Sequence, residues 1–220
     1  MRRLIRFWIC TRAIAFVTMA FVPVVHAGPP LVCSPFDIGA AKSLPWGGTK
    51  SWDNPAGDYD RQRLVDDALS LLRRDVPVIV RMETIRRATL YAAKDPRLVD
   101  DLLARFRERA GSGKATDALA LFDYGYLIET FKQVAPVYKL TGSPNGTDGY
   151  SYVARALELS GTNPQMEFAA AMVTSWPRRA RHDEHIARAS AGAARDPLLA
   201  ANLATHLSER SGGSASSHRQ

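Results

Sequence analysis

His182-Asp183-Glu184-His185 gathers four groups able to bind a metal or move a proton within about one helical turn. On a helix, positions i and i+3 share a face, so the two imidazoles could hold one ion. The zinc-hydrolase motif instead sets its histidines four apart around a glutamate base. Asp183 and Glu184 also suit the first turn of a helix, where acids offset the positive end of the dipole. That second reading fits the spacing better, so no metal ligand and no cofactor is assigned.

Just upstream, Trp176-Pro177-Arg178-Arg179-Ala180-Arg181 sets arginines beside an aromatic. Such a segment can meet phosphate or the head groups of anionic lipids, or form a solvated loop whose Trp plugs the core. Tyr124, Tyr126, Tyr138, Tyr150 and Tyr152 flank a loop, Thr141 to Gly149. Tyrosines beside a loop can line a groove for a glycan or peptide. Tyr124 and Tyr138 fall on an apolar stripe and read as core, whereas Tyr126 is carried as a binding residue. Asp123, Glu129 and Lys132 share that helix, as polar contacts or as plain surface charge. Asp66/Asp67 and Asp100/Asp101 are adjacent acids. Adjacent helical residues point about 100° apart, so neither pair can face itself across a cleft as acid–base catalysis requires. Asn145-Gly146-Thr147 fits a glycosylation sequon. No Gly-x-Ser-x-Gly, Walker loop or dinucleotide fingerprint occurs.

The ends of the chain bound its setting. Arg2, Arg3, Arg6 and Arg12 precede an apolar run from Ala13 to Val25, and Val25-His26-Ala27 has the small-residue pattern of a cleavage site. The run is too short for a stable membrane anchor. We expect an exported protein, periplasmic or secreted, cleaved after Ala27. Val32 before Cys33 does not meet the lipobox. The chain carries 29 basic and 22 acidic residues. Its first 27 residues hold four arginines and no acid, so the rest is only mildly basic. That argues against nucleic acid as a partner. Cys10 leaves with the signal, so Cys33 has no internal disulfide partner.

Gly28 to Gly57 is dense in proline and glycine, which break both regular periods, yet it holds Leu31, Val32, Phe36, Leu44, Trp46 and Trp52. It reads as an extended arm packed over a helical body and anchored by its tryptophans. The body follows with apolar residues at helical spacing. Leu64, Ala68, Leu71 and Leu72 form one stripe, and Val78, Met82, Ile85, Ala88 and Ala92 the next. Leu121, Tyr124, Ile128, Phe131, Ala135 and Tyr138 form a third, which Pro136 should end or kink. Asp95-Pro96, Asn163-Pro164 and Asp196-Pro197 are helix starts, with the polar residue as N-cap and proline at the first position.

An internal echo organises this body. Glu83–Arg109 and Glu184–Arg210 align without a gap, with 12 identities in 27 positions. Each copy reads as a helix, an Asp-Pro corner and a second helix. The three corners are 68 and 33 residues apart, about two units and one unit of a repeat. The pattern resembles α-helical repeats of the HEAT or tetratricopeptide kind, with Asp-Pro followed by Leu-x-x-x-Leu as the HEAT-like element. The resemblance covers roughly residues 59–210 and implies hairpin geometry, not a ligand. The stretch from Val32, VCSPFDIGAAKSLPW, resembles the opening of an uncharacterised family of exported bacterial proteins, in which His often stands where Ser34 does here. That resemblance implies export and the loss of a Cys-His pair, and no activity.

The expected fold is all-α: seven or eight helices as stacked hairpins, a solenoid or an irregular bundle. The expected organisation is a signal peptide (residues 1–27), an extended arm (28–58), a helical-repeat body (59–210) and a disordered tail (211–220). The expected function is non-enzymatic: binding another protein or an envelope component, with peripheral contact to an anionic membrane as a further option. Trp46, Trp52, Trp176, Arg178, Arg179, Arg181 and Tyr126 are the expected contact residues. The alternative is an exported hydrolase or glycan-acting protein with a cleft between arm and helices.

Overall fold

The computed structural model describes residues 30–48, 51–112, 117–140, 144, 146–175 and 180–207. The expected signal peptide, the tail from 211 and Trp176, Arg178 and Arg179 lie outside the described residues.

The protein is all-α. Eight α-helices occur among the described residues: α1 (Leu64–Leu71), α2 (Val78–Ala92), α3 (Pro96–Ser112), α4 (Ala118–Tyr138), α5 (Gly149–Ser160), α6 (Pro164–Thr174), α7 (His182–Gly192) and α8 (Pro197–His206). Short 3-10 turns precede α1 and follow α7. No strand occurs among the described residues, and one isolated bridge pairs Trp46 with Pro55. The starts follow local chemistry. Asn163 and Asp196 accept from the amides of Met166 and Leu199, with proline at the first helical position. Asp117 caps α4 in the same way. Pro136 neither ends nor shortens α4, which runs on to Tyr138 and closes at Lys139 in the left-handed region. Proline there supplies no N–H to the carbonyl four residues back, but the loss falls within the helix's final turn.

α2 and α4 form the centre. α2 packs against α1, α3, α4 and α6, and every residue in it except Arg87 is buried. Burial on all sides brings charge inside. Arg81 donates from Nε to Asp123 Oδ1 at 2.8 Å and from Nη2 to Asp123 Oδ2 at 2.5 Å, with both side chains essentially inaccessible. Arg81 Nη1 and Nη2 also donate to the carbonyls of Arg73 and Leu72, just after α1. Arg109 of α3 reaches Asp123 at 3.4 Å and donates to Leu72 O. One network thus ties α1, α2, α3 and α4.

The other polar face of α2 is covered by the arm. Leu31, Val32, Phe36 and Leu44 join the hydrophobic core. Glu83 accepts from Arg86 and Arg87, and also from the amide of Phe36 at 3.1 Å. Arg86 Nη1 donates to the carbonyls of Val32 and Trp52, and Arg87 Nη1 donates to Leu44 O at 2.6 Å. Tyr91 donates to Pro45 O, and Asn202 of α8 pairs with both the N–H and the C=O of Asp37. The arm's polar contacts are made mostly by its main chain.

Two predictions follow from these charges. Asp123→Ala should cost about 3–5 kcal/mol in urea denaturation, because it strands Arg81 without its carboxylate. Arg63→Ala, which breaks the surface pair with Asp67, should cost about 1 kcal/mol or less. The second concerns pH. Burial alone would raise the Glu83 carboxyl, but hydrogen bonds and charge from Arg86 and Arg87 outweigh it and hold the group below its ordinary value. A depressed folded value contributes stability that is present above the unfolded value, about 4.3, and is lost as pH falls. The stability gap between the parent and Glu83→Gln, measured by thermal melts, should therefore narrow as pH drops below about 4.

Candidate functional site

α5, α6 and α7 enclose a groove of 540 Å³. Its apolar wall is Ala154 and Leu157 of α5 with Pro164 at the start of α6. Its polar wall is Glu167 of α6 with His185 and Arg188 of α7, and Arg181 sits at the entry to α7. Arg181 adopts φ 69°, in the left-handed region that few non-glycine residues occupy. It donates to Glu184 Oε2 at 3.0 Å, and Arg188 donates to Glu184 Oε1 from the next turn. The hydrogen bond from Arg181 holds the Glu184 carboxyl below its ordinary value, with Arg188 assisting.

A hydrogen-bonded chain crosses the groove wall. His185 Nδ1 meets Glu167 Oε2 at 2.5 Å, and His185 Nε2 meets the Tyr150 hydroxyl at 2.8 Å. His185 is buried, and Arg188 Nη1 donates to Glu167 Oε1 at 3.3 Å. A carboxylate can only accept, so Nδ1 donates to Glu167, and in the Nδ1–H tautomer Nε2 is the acceptor for the Tyr150 hydroxyl. The same arrangement of acid, imidazole and hydroxyl serves general acid–base chemistry elsewhere. Here it also joins three helices.

The residues singled out in the sequence fall in different places. Trp46 is half-buried against Tyr91, with the Arg86 guanidinium 5.0 Å from its ring centroid, and Trp52 is half-buried and accepts from Arg86. Both hold the arm to α2. Tyr126 is wholly buried and offers no surface to a partner. The apolar stripe placed it outside the core, but α4 is enclosed on nearly all sides, so its off-stripe residues are buried too. Arg181 is exposed at the groove. Asp123 and Glu129 are both buried. Burial raises the Asp123 carboxyl against the pull of Arg81 and Arg109, but the group sits inside an ion-pair network. Glu129 accepts from Lys132 and from the Gly149 amide, at the positive end of α5.

His182 and His185 do not converge. His182 Nδ1 meets Ala171 O and the Thr174 hydroxyl, while His185 turns to Glu167 and Tyr150. No group of three metal-binding side chains occurs among the described residues. Burial raises the Cys33 thiol, with Arg86 pulling the other way. Glu167 was missed in the sequence. Its signal was a lone acid in the apolar run from Met166 to Val173.

No helix among the described residues is long and apolar enough to cross a membrane. No protein-family model matches the chain, and no curated protein or solved structure matches it.

Tyr150→Phe should leave the fold intact and lower the urea midpoint by the equivalent of about 0.5–1.5 kcal/mol, the net worth of one hydrogen bond. Long-range nitrogen–proton NMR of the parent at neutral pH should show His185 protonated at Nδ1. An Nε2-protonated ring would overturn the assigned chain.

Proposed function

We propose that this protein is an exported, non-enzymatic binding module whose helical body takes another protein or an envelope component into the α5–α6–α7 groove. The observation that carries this reading is the groove's make-up. An apolar wall faces half-exposed arginines held in position by Glu184 and Glu167, so it combines a surface to bury with oriented donors at its rim. Arginine fixed by carboxylates loses less freedom when a partner arrives, which favours binding. The leader-like residues 1–27 support an envelope setting for the partner.

The Tyr150–His185–Glu167 chain favours a second reading, an exported hydrolase or glycan-acting protein using this groove. His185 would be the base and Tyr150 the group it activates. Saturating turnover of a glycan or ester substrate, lost in Tyr150→Phe, would support that reading over the first.

Affinity capture with the C-terminally tagged full chain, expressed in its host, tests the binding reading. A stoichiometric envelope partner should be retained by the parent and lost from Arg181→Ala/Arg188→Ala, with circular dichroism showing an unchanged helical fold. A partner held equally by both, or no partner, would sink the proposal.

A further inference from the structure

The internal echo pairs each residue of α7 with one of α2, and on α2 that face is occupied. Arm contacts come from Glu83, Thr84, Arg86, Arg87 and Tyr91. Their counterparts on α7 are Glu184, His185, Ala187, Arg188 and Gly192. Two of these five, His185 and Arg188, line the 540 Å³ groove together with Arg181 and Ala191, so the groove reaches part of the α7 face that corresponds to the arm-holding face of α2. The acid–arginine pair is kept, four residues apart in both copies. What differs is cover. Arg87 and Glu83 are 18% and 0% exposed, whereas Arg188 and Glu184 are 48% and 43% exposed. Arg86 becomes Ala187, which removes bulk from this face.

α2 shows how such a pair holds a chain. Arg87 keeps its Nε on Glu83 and still gives Nη1 to Leu44 O. Arg188 is tied to Glu184 at the same spacing but through Nη2, with Nη1 on Glu167, which leaves Nε and one N–H on each Nη for an outside carbonyl. The segment held by α2 is non-helical, turns once between Ile38 and Ala41, and is broken by Pro35 and Pro45. Prolines cannot donate and keep a chain from folding onto itself, so its carbonyls stay available to outside donors.

We propose that the occupant of the α5–α6–α7 groove is an extended, proline-punctuated segment of a partner protein, bound through its main-chain carbonyls by Arg188 as Leu44 O is bound by Arg87. This rests on the binding-module reading and narrows it to a class of ligand. Recognition through the main chain tolerates varied side chains, and the apolar wall of Leu157 and Pro164 selects for a hydrophobic residue beside the bound carbonyl.

The chain's own arm supplies the probe: a synthetic peptide of residues 31–46 carrying Cys33→Ser, titrated into the full chain and followed by NMR. Saturable shifts at His185 and Arg188, about tenfold weaker binding to Arg188→Ala and unchanged binding to the exposed-pair control Arg63→Ala are expected. No saturation, or equal binding to Arg188→Ala, overturns the proposal. So does a peptide that displaces the native arm from α2, seen as a change at Trp46. Arg188-dependent dimerisation in sedimentation would also overturn it, by making a second copy the occupant. If the peptide fails while affinity capture still yields an Arg188-dependent partner, the binding reading stands and only the extended class falls.

Discussion

Charge buried on α2 is the constraint on which the rest of the structure depends. Arg81, Glu83 and Arg86 are all inaccessible on one fifteen-residue helix. Such groups are tolerated only when their donors and acceptors are all met. On one side the requirement falls on α4 and on the carbonyls after α1, through Asp123, Leu72 and Arg73. On the other it falls on the arm, whose carbonyls at Val32, Leu44 and Trp52 complete Arg86 and Arg87. An arm that came away would expose not only Leu31 and Phe36 but a set of half-satisfied guanidinium groups. The arm is therefore part of the core.

That constraint also explains what the sequence did and did not disclose. Helix starts at Asn163 and Asp196 were legible because capping is local: one side chain, one amide and a proline decide it. The apolar stripe of α2 was legible for the same reason. The burial of its charged residues was not: Glu83 and Arg86 fall off the stripe and read as solvent-facing, and Arg81 falls on it, where period alone names no partner for the charge. Their burial is decided by residues more than 30 positions away in sequence, at Trp52, Val32 and Asp123. Tyr126 was misread by the same logic, because a stripe identifies one buried face and cannot report that a helix is enclosed on all of them. The site was half legible. Tyr150, Arg181 and His185 stood out as residue types, but only tertiary packing sets Tyr150 and Glu167 on the two nitrogens of one imidazole.

The two copies of the echo show how position in a fold changes the meaning of a sequence. Asp95 and Asp196 both start a helix, and Glu83–Arg87 and Glu184–Arg188 both pair across one turn. Yet the pair on α2 lies under the arm, whereas the pair on α7 is exposed. The same ion pair is a buried clamp in one place and a hydrated pair in the other, where its worth to stability is small. Retaining it on α7 therefore has little to do with holding the fold.

Stability does account for part of the groove. His185 spans α5, α6 and α7, and its burial requires both ring nitrogens to be met, as Glu167 and Tyr150 do. That leaves Arg181 and Arg188 as the half-exposed charges of the groove, whose pairs with Glu184 add little to stability. Both project from the same helix face as His185, both are braced by Glu184, and Arg181 is held in the left-handed region as it starts α7, its carbonyl accepting from the His185 amide. Oriented charge retained at the mouth of a groove, beside a wall of Leu157 and Pro164, makes sense if something outside the chain completes it.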